Sequence, residues 1–267
     1  MYSIVDTHCH LDIVENQGLS ITDSVKNAAE SGVTDIIQIG IDFQSSQKAQ
    51  EISQTFSDNR MTIHYTQGLH PTDIQTAADF TELEALIRKN HNDPLLVGIG
   101  EIGLDLYHDT SRLALQEETL NRFLQLASEL SLPVVIHSRD AAEETYRALH
   151  NFKDQVFGVI HCFTYDYEYA KRFVDLGYYI SFSGIVAFKN AREIQEAAAK
   201  LPLGSILIET DAPFLAPPPN RGKRNEPSNM LHILEKLISL REEDESHVER
   251  QIYQNSQNFI RRKPCLI

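Results

Sequence analysis

Val134-Val135-Ile136-His137 and, one helix-length later, Val159-Ile160-His161 decide how this chain is read. Each is a short β-branched run without polar alternation, closed by a histidine. Runs of this kind suit parallel strands buried on both faces. A connection of twenty-odd residues separates them, enough for a crossover helix between parallel neighbours. Working outward, the same unit recurs. Strands are expected at residues 3–8, 34–41, 61–69, 95–101, 133–137, 156–161, 178–183 and 205–209. Helical patterns lie at 21–32, 80–90, 113–130, 141–150, 167–177 and 191–201, with two more at 228–240 and 246–261 after the last strand. The first helix follows a Ser and stops at Gly32, which suits an N-cap and a C′ residue. Eight strands in strict β–α alternation favour an α/β fold closed as a (β/α)8 TIM-type barrel. Residues 1–267 are expected to form a single domain with extra C-terminal helices.

The 267 residues are typical of one such barrel, and 42% are hydrophobic, ample for its core. No run approaches the roughly 18 apolar residues of a membrane span. The N-terminal residues lack the basic-then-apolar layout of a signal peptide, so a cytoplasmic protein with no membrane partner is expected. Cys9, Cys162 and Cys265 form no C-x-x-C pair, which argues against a disulfide framework or zinc knuckle. The net charge of −14 is the wrong sign for a protein that coats duplex DNA. It leaves room for an enzyme that meets nucleic acid locally at bound cations.

Chemistry-bearing residues gather at the ends of these runs. In Asp6-Thr7-His8-Cys9-His10, residues two apart share a face, so His8 and His10 offer two imidazoles to one ion, with Cys9 opposite. Glu101 closes the fourth run within Gly98-Ile99-Gly100-Glu101-Ile102-Gly103-Leu104-Asp105. Buried alone, that carboxylate would be costly; bridging two cations makes it favourable. Gly100 and Gly103 leave room for close backbone approach, and Asp105 reads as an outer or structural acid. His137 and His161 taken singly would suit satisfied core residues; two in succession after an H-x-H favour ligands. In Glu209-Thr210-Asp211-Ala212-Pro213, Asp211 is nearer the strand's C-terminal edge and is favoured as ligand and proton acceptor, with Glu209 a layer deeper. Four imidazoles and two carboxylates suit Zn, Mn, Mg or Co. Six ligands exceed one catalytic zinc site and fit two divalent metal ions bridged by Glu101.

These segments resemble the TatD family of metal-dependent deoxyribonucleases, within the amidohydrolase-like barrels. The carrying motifs are Val5-Asp6-Thr7-His8-Cys9-His10-Leu11-Asp12, Gly68-Leu69-His70-Pro71, Gly100-Glu101-Ile102-Gly103-Leu104-Asp105 and Ile136-His137-Ser138-Arg139-Asp140. They continue with His161-Cys162-Phe163, Ser181-Phe182-Ser183-Gly184-Ile185, Glu209-Thr210-Asp211-Ala212-Pro213 and Arg221-Gly222-Lys223-Arg224-Asn225-Glu226-Pro227. The match runs from the first strand to the last loop. It departs from the usual pattern at Ala187, Asn220 and Tyr253-Gln254-Asn255, none of them a ligand.

The resemblance implies metal ligands at His8, His10, Glu101, His137, His161 and Asp211, with two ions (Zn, Mg or Mn). The implied activity is hydrolysis of DNA phosphodiester bonds, as a 3′–5′ exonuclease on single strands or ends. A metal-activated water would attack, with Asp211 and Glu101 as catalytic carboxylates. His70, Arg139, Arg221 and Lys223 are the expected contacts to the DNA substrate; no obligate protein partner is evident. The alternative keeps the metals and changes the bond, to an amide or ester such as that of an aminoacyl-tRNA. Glu101, where many of those barrels carry a metal-bridging Lys, leans towards the phosphodiesterase. A non-enzymatic metal-binding protein is the third reading, disfavoured by the completeness of the ligand set.

Overall fold

In the computed structural model, which describes residues 3–107 and 109–265, eight strands lie parallel in one sheet in chain order: β1 (Ile4–Cys9), β2 (Val33–Gln38), β3 (Thr62–Gln67), β4 (Leu96–Asp105), β5 (Val134–Arg139), β6 (Gly158–Ile160), β7 (Tyr179–Phe182) and β8 (Ile206–Ile208). The last strand returns to the first. The Thr7 hydroxyl donates to the Ile208 carbonyl (2.9 Å), and past the end of β8 the Asp211 and His10 N–H groups donate to the His8 and Ala212 carbonyls (2.9 Å each). These bonds close the barrel at the edge where the candidate ligands sit.

The helices follow in order: α1 (Leu11–Asn16), α2 (Ile21–Glu30), α3 (Phe43–Phe56), α4 (Ala77–Asn90), α5 (Leu113–Leu130), α6 (Ala142–His150), α7 (Tyr167–Asp175), α8 (Arg192–Lys200), α9 (Met230–Ser239) and α10 (Glu245–Ile260). Successive strand residues alternate between two apolar layers. Ile36, Val134, Ile136 and Ile206 pack outward against helix residues such as Phe123, Phe173 and Leu234. Ile37, Val97, Val135, Val159, Tyr179 and Leu207 fill the barrel interior, with Phe259 and Cys265 beside them. Cys9 belongs to the outer layer, as its place between His8 and His10 requires.

The Ser20 side chain caps α2, and Gly32 takes the left-handed conformation (φ 91°) just past its end. The sequence reading contained neither α1 nor α3. The segment Phe43-Gln44-Ser45-Ser46-Gln47-Lys48-Ala49-Gln50 is too polar to show an apolar stripe; α3 is specified instead by the reciprocal cap between Asp42 and Ser45 and by burial of Ala49 and Ile52. The fourth strand is longer than expected: β4 continues four residues beyond Glu101. No helix among the described residues is long and apolar enough to cross a membrane.

Candidate metal centre

Five segments converge at the C-terminal mouth of the barrel, where residues from different strands can meet. His8 lies in β1, and His10 follows it at the start of α1. The α1 entry is held by Gln38 at the end of β2, whose side chain accepts from Leu11 N–H (2.7 Å) and donates to Asp12 (2.8 Å). Glu101 sits mid-strand rather than at a strand end. The β4–β5 register slips between Ile99 and Ile102, and a local irregularity of this kind re-aims a side chain. Gly103 is required there: its φ is 149°, and a Cβ would lie 1.9 Å from the His137 carbonyl oxygen. His137 is in β5, and His161 directly follows β6. Asp211 lies three residues past β8 at φ 55°, uncommon for a residue with a Cβ.

The two oxygens of Glu101 face two different groups. Oε2 is 3.3 Å from His8 Nε2 and 4.0 Å from His10 Nε2; Asp211 Oδ1 is 3.8 Å from each of these nitrogens. Oε1 is 2.9 Å from both His137 Nδ1 and His161 Nε2, and 3.5 Å from His70 Nε2. Three donor sets with ion-holding spacing result: His8 with His10 and Asp211, His8 with Glu101 and His161, and His70 with Glu101 and His137. All six ligands expected from sequence are therefore brought together.

The donor set fits divalent cations. The His8 and His10 Nε2 atoms are 3.2 Å apart, so at most one carries a proton directed between them. Burial pushes His8 down to about 4 and also lowers His10, which leaves both imidazoles neutral with lone pairs to offer. Burial opposes charge on His137 and His161 too, but their carboxylate neighbours outweigh it. His137 is raised by Asp105 and Glu101, and His161 well above its ordinary value by Glu101 and Glu209. Glu101 is held well below the usual carboxylate range: burial resists this, but His161, His70 and His137 prevail. Asp211 is pushed well above its usual range, by burial and then by Glu209 and Glu101, with His161 opposing. A centre this rich in acids and imidazoles calls for positive charge between them, as protons or as metal.

The supporting residues set the tautomers. His137 points Nε2 at Asp105 Oδ2 (3.0 Å), which fixes a proton there and frees Nδ1 for an ion. Asp105 is thus the outer acid expected; Gln116 of α5 grips its backbone by accepting from its N–H (2.9 Å) and donating to its carbonyl (3.1 Å). Glu209 lies 3.3 Å from His161 Nδ1 and accepts from Cys162 N–H at 2.6 Å, so it orients rather than joins the cluster. His70 Nδ1 accepts from Thr72 N–H (3.3 Å), which places its proton on Nε2, facing Glu101. The sequence reading passed over Thr72 and Gln116, because only geometry shows which ring nitrogen or backbone group they hold.

The centre opens into a cleft of about 820 Å³, lined by His10, His70, Glu101, His137, His161 and Asp211 among others. Arg139 lies on its wall with its guanidinium 3.7 Å from the Tyr107 ring centre. Arg221 and Lys223 are exposed on the loop after β8 and do not line the cleft; the Arg221 guanidinium rests 4.2 Å from the Phe188 ring centre. Arg224 donates to the Gln17 carbonyl (2.7 Å), which ties that loop to the end of α1. Two cleft residues the sequence reading did not single out, Tyr107 and Phe214, carry exposed aromatic rings.

Comparison with known proteins agrees with this geometry. A family model described as TatD related DNase matches residues 5–261. The chain is 34% identical over 260 residues to an uncharacterized metal-dependent hydrolase, YabD, of Bacillus subtilis, covering 97% of this chain and 99% of that protein. It is also 34% identical over 241 residues to an uncharacterized metal-dependent hydrolase, YcfH, of Escherichia coli, covering 89% and 88%. The crystal structure of YjjV, a TatD homolog from Escherichia coli, superposes with a TM-score of 0.86 at 27% identity, covering 96% of this chain and 97% of that one. With a match along nearly its whole length and the ligand constellation assembled at one barrel mouth, the chain belongs to the TatD-related DNase family.

Proposed function

We propose that the protein is a divalent-metal-dependent phosphodiesterase acting on DNA ends or single strands. The observation that carries this reading is the division of Glu101: one carboxylate oxygen serves the His8/His10/Asp211 group and the other the His137/His161 group. His8, His10, Glu101 and Asp211 would hold one ion, and Glu101, His137 and His161 the other. Two such cations, Zn, Mg or Mn, supply Lewis acidity for phosphoryl oxygens and lower the pKa of water so that it can attack at neutral pH.

The protein's own residues do the rest. Asp211 is pinned through its backbone N–H to the His8 carbonyl, and its side chain is 13% exposed against 4% for Glu101. It touches both the cluster and the cleft, where a carboxylate can take the proton of an attacking water. His70 presents an Nε2–H to the same space and suits a non-bridging phosphoryl oxygen. Arg139 adds a guanidinium on the cleft wall. Arg221 and Lys223 lie further out, where they can meet only a longer strand.

Metal-loaded protein incubated with 3′- and 5′-labelled single-stranded oligonucleotides tests the reading. Stepwise release of mononucleotides, lost in Asp211→Asn, is expected. Intact DNA alongside hydrolysis of ester or amide substrates at the same metal loading would assign the centre to another bond.

A further inference from the structure

Among the described residues, the large hydrophobic side chains that stay exposed are Tyr107 (55%) and Phe214 (48%), and both line the cleft over the metal centre. A single exposed aromatic is unremarkable; two converging on one cleft are a feature of the site. Neither ring is exposed through a slack backbone. Phe214 N–H donates to the Asp211 carbonyl (2.8 Å), and its own carbonyl accepts from Asn225 Nδ2 (2.7 Å), a residue itself fully buried. Tyr107 N–H donates to Asp105 Oδ1 (3.0 Å), and the Arg139 guanidinium covers one face of its ring.

The rings also flank different halves of the centre. The Phe214 ring centre is 6.3 Å from that of His10, in the first group. Tyr107 is anchored on Asp105, which holds His137 of the second group. A substrate whose reacting phosphate sits on Glu101 would thus pass between an apolar ring on one side and a Tyr–Arg stack on the other. Away from the cations, charge does not favour the rest of the strand: the chain carries −14 overall, and Asp73 and Asp140 line the same cleft. Flat, uncharged partners that stack on aromatic faces and guanidinium planes would hold it there.

The geometry points to a base clamp: Phe214 on one side and Tyr107 with Arg139 on the other stack the unpaired nucleobases of the two nucleotides flanking the scissile phosphate. This rests on the phosphodiesterase reading and deepens it, because bases inside a duplex are already stacked and cannot enter. The clamp selects single strands and frayed ends by base contact, without a basic groove.

The test uses a labelled single-stranded DNA oligonucleotide and its twin with tetrahydrofuran abasic residues at the 3′-terminal positions. With Mn2+-loaded wild type, the abasic twin is expected to lose roughly 10- to 100-fold in kcat/KM, mostly through KM. Phe214→Ala and Tyr107→Ala should lose a similar factor on the normal strand and match wild type on the abasic one, while Phe214→Trp keeps the preference. Measurable wild-type cleavage at equal rates on both strands, or an alanine variant slowed equally on both, would overturn the clamp. Fluorescence anisotropy of the same strands on metal-loaded Asp211→Asn separates the clamp from the chemistry. Tighter binding of the normal strand upholds the clamp even if wild type cleaves neither strand, in which case the phosphodiesterase reading falls; equal affinities overturn the clamp whatever the turnover.

Discussion

Glu101 is the residue on which the centre turns, since one side chain serves both donor groups. Glu101→Ala is expected to leave the barrel folded, abolish turnover and reduce bound metal below two ions per chain, as read by elemental analysis beside a thermal melt. Full metal content with normal rates would remove Glu101 from its place. Asp105 acts through His137: Asp105→Ala frees the imidazole to protonate on Nδ1 and should weaken metal binding about 10- to 100-fold. A titration showing unchanged affinity would mean that the 3.0 Å contact does not set the tautomer. His8, His10, His137, His161 and Asp211 were legible in the sequence because each closes or follows an apolar run. Thr72 was not, because holding His70 Nδ1 is a matter of position. Nor were Tyr107 and Phe214, since an exposed ring leaves no periodic trace.

At the scale of elements, β4 carries more than its pattern suggested. The sequence placed Glu101 at a strand end, whereas the strand runs on to Asp105 and presents both Glu101 and the acid behind His137. Gly103 makes this possible by letting β4 pass close against β5. Gly103→Ala combines a strained φ with a backbone clash at the His137 carbonyl and should cost roughly 2–5 kcal/mol, seen as a lower urea midpoint. An unchanged midpoint would show that β4 can shift away without cost. The missed α3 makes a related point: Asp42 and Ser45 cap it well, but its Gln- and Ser-rich face hides the apolar stripe on which helix recognition depends. The eight strands were recoverable because buried parallel strands read as unbroken Val, Ile and Leu runs.

Only closure of the whole barrel brings residues 8, 101, 137, 161 and 211 within a few ångströms, so metal binding and the fold are coupled. In the metal-free protein, His137 and His161 have raised pKa values beside Glu101. The ion pairs they form contribute stability that is fully present below the ordinary histidine value and lost as pH rises through the raised one. Cations must displace the protons facing Glu101, so metal affinity runs the other way and grows with pH. The rise in melting temperature on adding Mn2+ should therefore be larger at about pH 8 than at about pH 6. A rise that is constant or shrinks with pH would contradict the assigned protonation. The net charge of −14 and the outlying positions of Arg221 and Lys223 further predict a shallow fall of DNA affinity with salt, about one or two phosphate contacts' worth. A steep slope would demand a basic track that the cleft does not line.

Anomalous diffraction from crystals loaded with Mn2+ would locate the ions at the barrel mouth without reliance on any activity. Two peaks are expected about 3.5–4 Å apart, one against His8, His10 and Asp211 and one against His137 and His161, with the Glu101 carboxylate between them. A lone peak, or peaks away from Glu101, would contradict it.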